Sequence, residues 1–330
     1  MKKTCLTIAG LACLTAAVSR ADVKINDNFS LAGYAVGSYD YDKLSGAPSS
    51  DSFNLDAAKL TLNTKFDQVS ASFGAYYTET SNGENNLTLI NAQVSYDFGG
   101  GLSLTGGRFL SWMGYEAFDA PNMLQVSSAY INDGGTIMFY PAYHEGLALK
   151  YSDADFTAGV ALLDSLEGPS IYRGDGELKH NFGMEAFAQY TGIKDFVLWA
   201  GVGYDSKGAQ SYQTHTVSVY NVWAQYTVGS AMFALEYIGQ SAAKPSSGND
   251  GLALLDYTFT KQFSTTFRVS AGKLDDVGPI DGLGFTKFTV SPTYTVNAHF
   301  SLRPEVSYIK YQHGAFKDET FAAIQAIFKF

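Results

Sequence analysis

Residues 68–80 read QVSASFGAYYTET. Val69, Ala71, Phe73, Ala75 and Tyr77 fall at every second place, with Ser70, Ser72, Gly74, Tyr76 and Thr78 between them. A period of two belongs to a strand whose two faces meet different media. Residues 263–273, FSTTFRVSAGK, repeat the pattern, with Phe263, Phe267, Val269 and Ala271 set against Ser264, Thr266, Arg268, Ser270 and Gly272. So do residues 299–311, HFSLRPEVSYIKY. Such segments run about ten to fourteen residues, whereas strands of soluble sheets average about five or six and a tilted bilayer crossing takes about nine to eleven. Their length selects the membrane.

Segments of this kind recur along the whole chain. The expected strand centres lie near Ala35, Leu60, Phe73, Val94, Thr105, Leu147, Val160, Phe187, Ala200, Val222, Leu235, Leu255, Val269, Val290, Glu305 and Gln325. Tight connections such as FDQ, FGGG, SDAD, TGIKD, VGS, TKQ and VNA alternate with longer ones. DKLSGAPSSD at 42–51, DSKGAQSYQT at 205–214 and SAAKPSSGND at 241–250 are among the long set. Short turns at one end, longer loops at the other and about sixteen strands predict an all-β fold, a transmembrane antiparallel barrel. Closure satisfies every backbone donor and acceptor inside lipid. No apolar stretch is long enough for a membrane helix.

Aromatic residues test this independently. Phe66, Tyr96, Phe98, Tyr151, Phe156, Tyr190, Phe196, Tyr226, Phe259 and Phe263 fall beside the short turns, on the faces expected to point outward. Tyr77, Tyr204, Tyr237 and Tyr308 fall near the opposite rim. Two interfacial girdles are expected of a barrel in a bilayer, whereas a general preference of aromatics for strands does not place them at strand ends. The last strand, ETFAAIQAIFKF, alternates up to Phe330. Its terminal aromatic resembles the signal read by the barrel assembly machinery, an expected partner along with outer-membrane lipids.

The chain opens with a basic Lys2-Lys3, an apolar run from Leu6 to Val18, and Ser19-Arg20-Ala21. This pattern predicts a signal peptide over 1–21, leaving 22–330 as one barrel domain of the bacterial outer membrane. Cys13 raises a lipoprotein alternative, to which Gly10-Leu11-Ala12 is a poor match. Both cysteines, Cys5 and Cys13, lie in the signal, so neither disulfides nor thiolate metal sites are expected beyond it. The formal net charge of −10 disfavours nucleic acid as a partner.

One connection breaks the rhythm. From Ser111 to Tyr143 the chain runs for about 33 residues without clean alternation, and a loop of that length is functional or disordered. Trp112, Met113, Phe118, Met123, Leu124, Tyr130, Phe139 and Tyr140 argue against disorder. It is the third long connection. Folding inward to narrow the barrel is the expected course, with an outer lid or a subunit contact as the alternative.

The same residues carry a family resemblance. GRFLSWMGYEAFDAPN followed by FYPAYHEGLALKY resembles the OmpL-like β-barrel porins, which show a Gly-Lys/Arg-Phe strand end, then Gly-Tyr-Glu, then Asp-x-Pro. Gly107, Arg108, Phe109, Gly114, Tyr115, Glu116, Asp119 and Pro121 match that pattern. His144-Glu145-Gly146 departs from the family's frequent His-Thr-Gly. The resemblance implies an outer-membrane porin.

A sixteen-stranded barrel without a plug encloses an aqueous channel. Alternation turns Lys59, Glu185, Glu236, Asp256, Arg268, Arg303 and Glu305 inward. Arg108 joins them only if Gly106-Gly107 makes a bulge that reverses its face. Glu116, Asp119 and Asp133 come from the long loop. Arg268 and Arg303 are expected to face Glu116 and Asp119 across the gap, a transverse field that filters small polar solutes by size and charge. A plain scatter of charges on a wet wall is the other reading.

Catalysis finds no support. There is no Gly-x-Ser-x-Gly elbow, no His-Glu-x-x-His and no phosphate loop. The histidines, at 144, 180, 215, 299 and 313, are dispersed, and His215 with Asp205 is the nearest local His–Asp pair. Asp153 and Asp155 in SDAD, like Asp275 and Asp276 in LDDVG, read as turns rather than calcium ligands. The expected function is passive diffusion of small hydrophilic solutes and ions, with no cofactor, no bound metal and a homotrimer as one possible assembly. An outer-membrane barrel enzyme of lipase or protease type, and an adhesin or structural barrel, are the alternatives.

Overall fold

The computed structural model describes residues 22–79, 85–130, 139–166, 182–206, 215–242, 247–275, 283–312 and 317–330. The predicted signal, Asp133, His180 and His313 lie outside them. A short strand β1, Val23–Lys24, precedes β2 Phe29–Leu44, β3 Ser49–Phe66, β4 Val69–Glu79, β5 Asn85–Gly99 and β6 Leu102–Leu110. Then come β7 Tyr143–Ser152, β8 Phe156–Leu163, β9 Gly183–Tyr190, β10 Phe196–Asp205, β11 Val217–Val228 and β12 Ala231–Ser241. The last are β13 Gly248–Thr258, β14 Phe263–Leu274, β15 Leu283–Asn297, β16 Phe300–Tyr311 and β17 Glu319–Lys329. From β2 onward each strand pairs antiparallel with the next, and β17 returns to β2 through Ala326 opposite Gly37 and Ile324 opposite Tyr39. The sixteen long strands close a barrel. Each expected strand centre falls inside one of them; β1, paired with β2 through Val23 and Leu31, was not expected.

The tight turns follow local chemistry. The Asp153 carboxylate accepts the N–H groups of Asp155 at 2.9 Å and Phe156 at 2.8 Å, so SDAD is a side-chain-stabilised turn. Gly101 adopts φ +87°, and a Cβ there would fall 2.0 Å from the Ser152 carbonyl oxygen; only glycine fits. At the other end one expectation needs correcting. Residues 42–51 are not a long loop: β2 reaches Leu44 and β3 starts at Ser49, leaving a short link. Polar residues such as Asp42 and Asp51 continue the ladder there, paired with Ser50 and Tyr41, because above the bilayer a strand needs no apolar face.

Exposure sorts the two faces. Phe66, Tyr96, Phe98, Tyr151, Phe156, Tyr190, Tyr226, Phe259 and Phe263 are exposed beside the short turns, and Tyr204, Tyr237 and Tyr308 near the far rim. Phe196 and Tyr77 are half-buried. Two bulges reset the alternation. In β3 an extra residue at Asp56 moves the outward set from Phe53 and Leu55 to Leu60, and in β5 one at Ile90 moves it from Leu87 and Leu89 to Val94 and Tyr96.

No bulge occurs in β6. Gly106 and Gly107 pair in unbroken register with Val94 and Gln93 on one side and Leu147 and Gly146 on the other. Arg108 therefore keeps the outward parity of Leu104, in register with Glu145, and does not join the lumen charges. The glycine pair bends the strand at Gly107, φ +118°, without changing its count of residues.

Candidate functional site

The connection between β6 and β7 is anchored to the buried faces of strands around the ring. It begins at Ser111 and Trp112, whose Oγ and N–H donate to Glu185 of β9 at 3.0 and 2.7 Å. Gly114 turns the chain with φ +100° and donates its N–H to Asn221 of β11 at 3.1 Å. Tyr115 donates its N–H to Glu236 of β12 at 2.8 Å and its hydroxyl to Gln225 of β11 at 3.0 Å. Glu116 forms a buried ion pair with Arg268 of β14. Three residues later the chain is at another wall: Asp119 pairs with Lys59 of β3 at 3.0 Å and accepts from the Tyr34 hydroxyl of β2 at 2.9 Å. A short 3₁₀ turn, Ala120–Asn122, follows.

The returning limb is held by the β12–β16 wall. Arg303 donates to the Ala120 carbonyl at 3.0 Å, and Glu305 accepts the N–H of Val126 at 2.6 Å and the Ser127 hydroxyl. Arg268 also reaches the carbonyls of Ser127 and Ser128, each at 3.0 Å, and Lys287 reaches that of Ser128 at 2.8 Å. Tyr130 and Tyr140 donate to Glu236. Glu236 thus accepts from two phenols, the Tyr115 N–H and the Asn221 amide. Burial, and then the Glu236 charge, push both phenols above the usual tyrosine range.

Beneath these bonds lies a dry aromatic layer. Phe187, Trp199 and Trp223 stack along the inner faces of β9, β10 and β11, with ring centroids 5.9 and 6.0 Å apart. Trp112 packs on Phe187 at 4.7 Å and Tyr115 on Trp223 at 5.4 Å. Outside this layer Phe118, still exposed, reaches the other wall, against Tyr143 at 5.1 Å and Tyr76 at 5.8 Å. Opposite this layer a cavity of about 210 Å³ is lined by Lys59, Thr61, Asn63, Ser72, Asn91 and Gln93 of β3 to β5, with Asp119 and Asn122 of the loop closing it.

The structure gathers most of the expected site residues and changes some of their partners. Lys59, Glu116, Asp119, Glu185, Glu236, Arg268, Arg303 and Glu305 all belong to this network. The expected pairing of Asp119 with an arginine is replaced: its cation is Lys59, while Arg303 binds a main-chain carbonyl. Glu116 and Arg268 are in direct contact rather than held apart. Asp256 stands outside the network, accepting from Thr266 at 2.8 Å. Tyr34, Lys287, Asn221 and Gln225 escaped the sequence reading, because neutral or lone polar residues on a wet face carry no signal. The Asp205 carboxylate accepts from the Ser165 hydroxyl at 2.8 Å and the Leu166 N–H at 2.5 Å. His144 is fully buried, 3.6 Å from Glu185 with Phe109 against its ring.

A closed sixteen-strand barrel with two aromatic girdles, short turns at one end and a long third loop tied to its buried wall is the architecture of an outer-membrane porin. The chain belongs to the family described as Putative beta-barrel porin-2, OmpL-like, whose model matches residues 22–330. It is therefore a passive diffusion channel of the outer membrane. The fold is similar to an anion-selective porin from Comamonas acidovorans (TM-score 0.66, 13% identity, covering 92% of this chain and 99% of that one). It is also similar to the outer membrane channel DcaP of Acinetobacter baumannii (0.64, 11%, covering 94% and 100%). The trimer form of OmpT, an outer membrane protein of Vibrio cholerae, is a third such structure (0.61, 12%, covering 92% and 100%). At these identities the likeness concerns the fold alone. No curated protein matches the sequence.

Proposed function

We propose that the 111–143 connection is a crossbar that sets the narrowest point of the channel and restricts it to small hydrophilic solutes and ions. The observation that carries this is the pinning of two residues, three apart in sequence, to different walls: Glu116 to Arg268 on β14 and Asp119 to Lys59 on β3. Lys59 and Asp119 border the open lane. Glu185, Glu236, Arg268, Arg303 and Glu305 act as anchors of the loop. Asp256 contributes to the wall field from outside the network, and Asp133 is assigned to the same loop by sequence alone.

We read the barrel as non-catalytic, a reading supported by the engaged Asp205 and the enclosed His144. Removal of residues 1–21 on export, recognition of the strand ending at Phe330 by the assembly machinery, and a homotrimer complete the proposal.

Single-channel recording tests the crossbar. Asp119→Ala and Lys59→Ala should each raise conductance, and the double variant should add little, since both remove one interaction. Deleting about ten residues around Asp119 should raise it further, by severalfold. Unchanged conductance in the deletion, with the barrel still folded, would remove the loop from the pore.

A further inference from the structure

The charges of the inner wall are unevenly available to a passing molecule. Arg268 is consumed by Glu116 and two carbonyls, Arg303 and Lys287 by further carbonyls, and Glu185, Glu236 and Glu305 by loop donors. In the lane itself Lys59 and Asp119 neutralise each other at 3.0 Å. The rest of the β3–β5 wall offers Thr61, Asn63, Ser72, Asn91 and Gln93, uncharged donors and acceptors. Lys329 of β17 also lines the narrow cavity. Asn63, Ser72 and Gln93 continue into a wider cavity of about 520 Å³ toward the short-turn end, where the charged residues are two of each sign, Asp22, Lys24, Asp27 and Lys65, with Lys24 paired to Asp27 at 2.8 Å.

We infer that the lane selects small, uncharged, polyhydroxylated molecules of monosaccharide size over ions of the same size. The inference rests on the crossbar reading of the channel. Each side-chain amide presents both a donor and an acceptor, and each hydroxyl does the same, so a wall of them exchanges hydrogen bonds with a polyol without a net change in number. An ion loses hydration in a narrow space, and beyond the Lys59–Asp119 pair the lining offers it a single charged side chain, Lys329, in return. The narrow cavity lies below the roughly 300 Å³ at which drug-sized ligand pockets begin, which sets the size class. Nearer the longer loops, Asp40 and Asp56 carry negative charge on the same β2–β3 wall. Each accepts from neutral neighbours, Asn54 at 3.0 Å and Ser38 at 2.7 Å. They are the groups that would favour a cationic solute instead.

Uptake by liposomes carrying the mature full-length protein separates these cases. Glucose, glucosamine and glucuronate share one pyranose skeleton and differ in charge. Glucose should enter about threefold or more faster than either ion. The single variants Asn63→Leu and Gln93→Leu should each slow glucose by about two- to tenfold, the worth of one hydrogen bond, while potassium chloride conductance falls less. Glucosamine or glucuronate entering as fast as glucose would overturn the inference and leave the channel standing. So would salt conductance without sugar entry, or equal losses of sugar flux and conductance in the leucine variants. If neither solute nor current crosses a barrel that is folded by heat-dependent gel migration, both the inference and the channel reading fall.

Discussion

Gly33 and Phe330 meet at the seam where the last strand joins the first long one. Their backbones exchange two hydrogen bonds, at 2.9 and 3.0 Å. A Cβ on Gly33 would fall 2.7 Å from the Phe330 ring and 2.9 Å from the Lys59 carbonyl oxygen, so the ring occupies the space a side chain would need. The terminal aromatic thus covers a bare patch of backbone, which gives it a structural role besides any role in assembly. Gly33→Ala should destabilise the barrel by about 1–3 kcal/mol, the usual cost of overpacking. Adding Phe330→Ala should recover only part of that, because the Lys59 oxygen remains in place. Thermal midpoints in detergent measure both; a Gly33→Ala variant as stable as the parent would show that the seam has slack.

At the level of elements, the loop and its bed are the main departure from a simple wet barrel. Tyr130 and Tyr140 both hold Glu236, and both phenols titrate above their ordinary value. A group whose folded pKa is raised above the unfolded one contributes stability fully below the unfolded pKa, here 10.0, and loses it as pH climbs toward the folded value. The stability gap between the parent and a Tyr130→Phe/Tyr140→Phe variant should therefore be widest below pH 10 and narrow above it. A gap independent of pH through 11.5 would show that the phenols do not carry the seat.

The Gly-Tyr-Glu and Asp-x-Pro motifs were legible in the sequence, and the structure gives them physical content. Gly114 supplies a positive φ, Tyr115 and Glu116 dock on β11, β12 and β14, and Asp119 docks on β3. What Asp119 would meet was not legible, since nothing local links it to a lysine 60 positions earlier. The dry layer under the loop did leave a signal. The apolar residues of FVLWAGVGY in β10 occupy both parities, a run expected of a strand buried on both faces. Reading it only as a membrane strand hid Trp199. Likewise, bulges at Asp56 and Ile90 change parity without any residue type that announces them.

For the whole molecule, closure by β17 and β2 leaves none of the sixteen long strands with an unpaired edge. The purified protein should give a β-dominated far-ultraviolet spectrum in detergent and migrate more slowly on gels after heating. A trimer would add a third, slower band before heating that disappears at an intermediate temperature. A helix-dominated spectrum would contradict the barrel outright, whereas absence of the slow band would remove only the trimer. The number and order of the strands were readable at this scale because every bilayer crossing needs a minimum length and a period of two, although the lengths run from 8 to 18 residues.

The dry layer has an electrical meaning. Phe187, Trp199 and Trp223 stack under the loop along β9 to β11, whereas the cavity lies along β3 to β5. Under the proposed reading the pore is a resistor mounted off the barrel's axis, and the applied voltage drops mainly beside one arc of wall. A change at Gln93 would alter the current, while a change of similar size at Val219, sealed in the layer, would register only as stability. The conducting property of this barrel is then held by a handful of side chains, and the rest of its inner wall is free to drift as a protein core does.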